Sequence, residues 1–84
     1  GALERGKPDP EIFLRAADAL GVPPKNCVGI EDALSGLEAL RAANMASVGV
    51  GAATSGHADV TVSSTGELTR ELINRAFDAR WRRK

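Results

Sequence analysis

The sequence predicts an α/β fold of three layers, a parallel β-sheet with helices on both faces. Three observations predict it. Short apolar runs rich in β-branched residues end abruptly near residues 30, 50 and 62. Segments with helical apolar spacing alternate with them, which implies right-handed crossovers and parallel pairing. No repeat, linker or low-complexity tract divides the 84 residues, so the chain reads as one unit.

The elements follow in order. Residues 1–8 lack periodicity. Pro8 and Pro10 push Lys7 and Asp9 away from helical geometry. Asp9 suits an N-cap and Pro10 a first helical position, so a helix is expected to Leu20. Its inner face is Ile12, Phe13, Ala16, Ala17 and Leu20, and Gly21 with Pro23 and Pro24 stops it. Residues 26–30 read as a buried strand that ends directly on Glu31 and Asp32. Ser35 and Glu38 have capping-box spacing, which starts a second helix near residue 35. Leu34, Leu37, Leu40 and Ala43 face the core in this reading, and Asn44 is a left-handed C-cap. Ala46–Val50 is a second strand, residues 51–58 a loop and Val60–Val62 a third strand. Ser64 and Glu67 repeat the capping-box spacing, so a last helix is expected from Gly66 or Glu67 to near Ala79. Leu68, Leu72, Ile73, Ala76 and Phe77 form its inner face.

Composition narrows the function classes. Eleven basic and eleven acidic side chains balance, which argues against a general nucleic-acid binder. Basic charge gathers at residues 80–84, which read as a solvated tail. Cys27 is the single cysteine, so an intrachain disulfide is excluded and a reducing, cytoplasmic setting fits. No stretch approaches the ~20 apolar residues of a membrane span. The chain opens on Gly1 rather than Met, and is expected to begin mid-protein.

In open parallel sheets, ligands bind beyond the carboxyl ends of the strands. Glu31 and Asp32 lie at such an end, and adjacent carboxylates repel unless a positive group sits beside them. A hard divalent cation answers that need, and magnesium uses one or two carboxylates with water and substrate phosphate. Read alone, the pair equally caps the following helix. Lys7 is a compact charge suited to a phosphoryl oxygen; read alone, it is solvated surface. His57 sits in a Gly/Ser/Ala loop with no second ligand nearby, and Cys27 reads as a packed thiol.

The ordered combination is more informative than its parts. Gly6-Lys7-Pro8-Asp9-Pro10-Glu11-Ile12-Phe13 resembles the third motif of the haloacid dehalogenase superfamily, and Gly29-Ile30-Glu31-Asp32-Ala33 with Gly36 resembles its fourth. Gly21 to Pro24, Asn44-Met45 before Val48-Gly49-Val50, and Ala58-Asp59 before the last strand are also similar, in the β-phosphoglucomutase and phosphoglycolate-phosphatase-like branch. The resemblance implies the C-terminal part of a Rossmann-like core. It implies that Lys7 holds the transferring phosphoryl group, that Asp32 binds Mg2+ directly, and that Glu31 supports the metal site directly or through water. It implies that Gly36 permits close backbone approach, with Ser35 in the phosphate vicinity. The implied chemistry is attack by an aspartate on a phosphate monoester, giving an aspartyl-phosphate that is hydrolysed or passed on. The implied partner is a small phosphorylated metabolite, with no nucleic acid or membrane.

The departures define three competing expectations. The superfamily's Asp-x-Asp motif, its second-motif Ser or Thr, and its cap domain are absent from these 84 residues, so the chain contains no nucleophile of its own. The first expectation is a phosphatase-type hydrolase represented by its C-terminal portion, inactive alone. The second is a sugar-phosphate mutase. The third is a non-catalytic domain that binds a partner through an open sheet edge, because the first strand would lack its neighbour and be open to self-association.

Overall fold

The computed structural model describes residues 9–81. Three helices, α1 (Glu11–Leu20), α2 (Leu34–Ala42) and α3 (Arg70–Trp81), alternate with three strands, β1 (Val28–Glu31), β2 (Ala46–Val50) and β3 (Val60–Val62). All strands are parallel in the order β1-β2-β3, with Glu31 opposite Gly49 and Val50 opposite Val62. The expected three-layer, Rossmann-like arrangement is therefore present. Among the described residues, β1 and β3 each pair with one neighbour and form the sheet's edges.

Two apolar clusters cover the two faces. Val48, Val62 and Ala76 are buried on one, with Val28, Val50, Val60, Leu68 and Leu72 packed around them under α3. Ala17, Leu37, Leu40, Ala43 and Met45 are buried on the other, joined by Phe13, Cys27 and Ala58 under α1 and α2. Leu40 is fully buried, a contribution of roughly 1.5–3 kcal/mol. Its side chain lies directly over Gly29.

The helix starts differ from the sequence expectations, each for a local reason. Pro10 takes the N-cap of α1. Asp9 still caps, because its Oδ1 accepts the Glu11 N–H at 2.9 Å. Helix α2 begins at Leu34 after an extended Ala33 with no side-chain cap, so Ser35 lies inside the first turn and the Ser35–Glu38 capping box does not form. Helix α3 begins at Arg70, later than expected. Residues Thr65–Glu67 form a 3-10 turn, and Leu68 is extended. Thr69 is the true cap: its Oγ1 accepts the Leu72 N–H at 3.1 Å. Glu67 turns back instead, accepting the N–H and hydroxyl of Ser63.

Burial also departs from the periodicity. Helix α1 leans on α2 through Phe13 and Ala17, leaving Ile12 45% and Leu20 75% exposed. Leu34, expected in the core, is 42% exposed. Arg80, read as the start of a solvated tail, is half-buried within α3. It stacks 5.3 Å from the Trp81 ring centroid and donates to Asn44 Oδ1 at 3.5 Å. Residues 82–84 lie outside the described residues.

Candidate active site

Side chains alternate across a strand with period two. In β1, Val28 points to the α3 face and Gly29 to the α2 face beneath Leu40. Glu31, two residues on, returns to the α2 face and lies against Gly36. A Cβ added at Gly36 would overlap Oε1, Cδ and Cγ of Glu31, the three nearest atoms it would meet. Glu31 is half-buried, and the adjacent Asp32 is exposed.

Helix α2 opens two residues after Asp32. Its first i to i−4 bond runs from the Leu37 N–H to the Ala33 carbonyl at 3.1 Å. The N–H groups of Leu34, Ser35 and Gly36 precede it, so the positive end of the helix faces the strand end. Ile30, Glu31, Asp32, Val50 and Thr65 enclose a depression of about 220 Å³ there. Glu31 and Val50 are the last residues of β1 and β2, and Thr65 opens the 3-10 turn that follows β3.

The structure thus brings Glu31, Asp32 and Gly36 together at the predicted end of the sheet. Ser35 is close in sequence but exposed in the first turn of α2. Lys7 lies outside the described residues. Val50 and Thr65 were missed by residue-level reasoning, although the strand-end rule applied to β2 and β3 points at both. His57 is exposed, and among the described residues no group of three or more His, Cys, Asp or Glu gathers around a common point. The Cys27 thiol donates to the Pro23 carbonyl at 3.6 Å and packs on the α1–α2 cluster. A larger depression of about 450 Å³ is lined by Leu14, Asp18, Gly21, Val22, Pro23 and Pro24. Among the described residues, Asp18 is its single titratable side chain and no strand end opens into it, so it offers less chemistry. Among the described residues, no helix is long and apolar enough to cross a membrane.

Residues 1–44 match the family model for haloacid dehalogenase-like hydrolases. The chain belongs to this family. It is 46% identical over 77 residues to the β-phosphoglucomutase of Bacillus subtilis, an alignment that covers 90% of this chain and 34% of the relative. Hexitol phosphatase B of Escherichia coli K12 is 41% identical over 73 residues, covering 80% of this chain and 33% of the relative. The crystal structure of a β-phosphoglucomutase from Clostridium difficile superposes with a TM-score of 0.86 at 44% identity, covering 95% of this chain and 36% of that one. The chain spans about a third of the length of these two curated relatives. Its relatives include both a phosphomutase and a phosphatase, so this haloacid dehalogenase-like chain sits within a family of phosphoryl-handling enzymes.

Proposed function

We propose that the chain supplies the metal-binding and phosphate-binding half of a magnesium-dependent phosphoryl-transfer site, with hydrolysis of a small phosphate monoester as the outcome. The observation that carries this reading is the placement of Glu31 at the carboxyl end of β1, against Gly36 in the first turn of α2, with the adjacent Asp32 lining the same depression. The donor set fits a hard cation. Two carboxylates without histidine or cysteine partners suit magnesium, which completes its shell with water and phosphate oxygen. Asp32 would be the direct ligand and Glu31 its support. When bound, the ion offsets charge on the phosphoryl oxygens.

The chain's own groups do the rest. Lys7 holds a phosphoryl oxygen as a point charge. The Leu34, Ser35 and Gly36 amides add positive potential at the strand end. The attacking aspartate comes from outside these 84 residues, so the 84-residue chain alone is inactive. The likeness to hexitol phosphatase and β-phosphoglucomutase favours a sugar phosphate or similar metabolite as substrate. The β-phosphoglucomutase likeness also supports a second reading, transfer between sugar hydroxyls. The single cysteine fits a reducing, cytoplasmic setting.

The test is turnover of p-nitrophenyl phosphate and of hexose phosphates by the longest polypeptide its gene encodes, with and without magnesium. Expected is magnesium-dependent phosphate release, abolished by Asp32→Asn, with none from residues 1–84 alone. Interconversion of hexose phosphates without phosphate release would favour the mutase. Full activity of the Asp32→Asn variant would remove Asp32 from the metal site, and no activity of any kind would return the chain to a non-catalytic role.

A further inference from the structure

We propose that Gly36 is a positioning residue that sets where the Glu31 carboxylate lies, and that its absent side chain is the seat of that carboxylate. The claim about metal affinity rests on the magnesium reading above; the claim about geometry does not. Gly36 is the third residue of α2 and is buried, while its backbone φ lies outside the left-handed range. Backbone conformation therefore gives no reason for glycine here, and helix propensity argues against it, since alanine is the better helix former. The reason lies in what occupies the space. The three atoms nearest to the point where a Cβ would stand are Oε1, Cδ and Cγ of a single side chain, Glu31.

A half-buried carboxylate has few places to go. Glu31 is fixed at its backbone by parallel pairing opposite Gly49, and its side chain must leave β1 toward α2. With Gly36 it lies flat against the helix, beside Asp32 and the depression at the strand end. With any larger residue it must swing off the helix, carrying the carboxylate out of register with Asp32. Groups that orient ligands in this indirect way commonly change metal affinity by roughly 10–100-fold when they are altered.

The test is a double-mutant cycle on the full chain, using Gly36→Ala, Glu31→Ala and the pair, read by thermal unfolding and by Mg2+ titration followed by NMR. In the presence of Glu31, Gly36→Ala must displace the flexible end of that side chain, so its effect on the unfolding midpoint is expected to be less favourable, by about 2 °C or more, than in the Glu31→Ala background. In the Glu31→Ala background the same change is expected to raise it, because the overlap is gone and the propensity gain remains. Gly36→Ala should weaken Mg2+ binding at least about tenfold in the presence of Glu31 and leave it unchanged in the Glu31→Ala background. Should Gly36→Ala fail to fold, restored folding in the pair supports the inference, and failure of the pair overturns it. Equal midpoint shifts in both backgrounds overturn it as well. A parent chain that binds no Mg2+ removes the metal reading, and the difference between the midpoint shifts in the two backgrounds then still decides whether Gly36 seats Glu31.

Discussion

Ser47 and Asp59 are joined by three hydrogen bonds that run in both directions. Asp59 Oδ2 accepts the Ser47 N–H at 2.9 Å and its hydroxyl at 3.3 Å, while Ser47 Oγ accepts the Asp59 N–H at 3.1 Å. β3 begins one residue later, at Val60. The carboxylate therefore continues the β2 ladder where the β3 backbone has not yet arrived. Ser47 is 6% exposed, so water is a poor substitute. Asp59→Ala is expected to cost about 1–3 kcal/mol, the penalty of leaving a buried donor unsatisfied. Asp59→Asn, which keeps one oxygen acceptor, should cost less. Urea denaturation of both variants checks the order.

Gly49 sits opposite Glu31 in the sheet and has no room for a side chain. A Cβ there would overlap Thr54 Oγ1 and Cβ and lie 3.1 Å from the Ala58 Cβ. Thr54 cannot move aside: it is fully buried, and its hydroxyl donates to the Gly51 carbonyl at 2.7 Å. Gly49→Ala should therefore destabilise by about 1–3 kcal/mol, as overpacking does. The expected signature in denaturation is a lower midpoint with an unchanged slope.

Asn44 is the non-glycine residue with positive φ among those described, at 64°. Left-handed geometry strains a residue with an ordinary Cβ by roughly 1–2 kcal/mol. Asn44→Ala should lose about that much stability. Asn44→Gly should stay within about 0.5 kcal/mol of the parent, the strain-free backbone offsetting the long 3.5 Å contact with Arg80. Equal losses in the two variants would mean that the Arg80 contact, and not the backbone, is what Asn44 supplies.

Asp32 is exposed and Glu31 is not, which separates their roles in a binding experiment. Asp32→Asn should leave unfolding within about 0.5 kcal/mol of the parent, as surface substitutions do, while abolishing the stabilisation by added Mg2+ that the proposed metal site predicts. Linkage makes that stabilisation grow with the logarithm of metal concentration. A thermal series across Mg2+ concentrations therefore reads the loss as a flat line.

The architecture was legible because short apolar runs rich in β-branched residues marked the strands, and β1, β2 and β3 lie within a residue or two of their expected positions. The acidic pair at the end of β1 was legible for the same reason. Helix starts were less so, since capping-box spacing at Ser35–Glu38 and Ser64–Glu67 is a local pattern that the turns around it override. Thr69 could cap α3 only because Thr65–Glu67 first closes a 3-10 turn. The pairing of Glu31 with Gly36 depends on how β1 and α2 approach each other, which no single-segment pattern encodes. Apolar periodicity in α1 marked Ile12 and Leu20 as core, but periodicity reports a face and not what covers it.

That uncovered surface leads to the last prediction. Ile30 in β1 and Leu34 beyond its end are each 42% exposed, and among the described residues no further strand pairs with the outer edge of β1. An apolar strand edge that no neighbouring strand covers is a template for pairing with another chain. The isolated chain should therefore associate with itself, and its sedimentation coefficient should rise with concentration. Ile30→Lys places a charge at the edge, a common natural protection against such pairing, and should shift the equilibrium toward monomer at least about tenfold, a change of about 1.4 kcal/mol. The outcome that counts against this account is a parent chain that sediments as a monomer at every concentration and melts in one sharp, concentration-independent transition. In that case the edge is covered within the monomer itself, and Ile30→Lys would lower stability without changing mass.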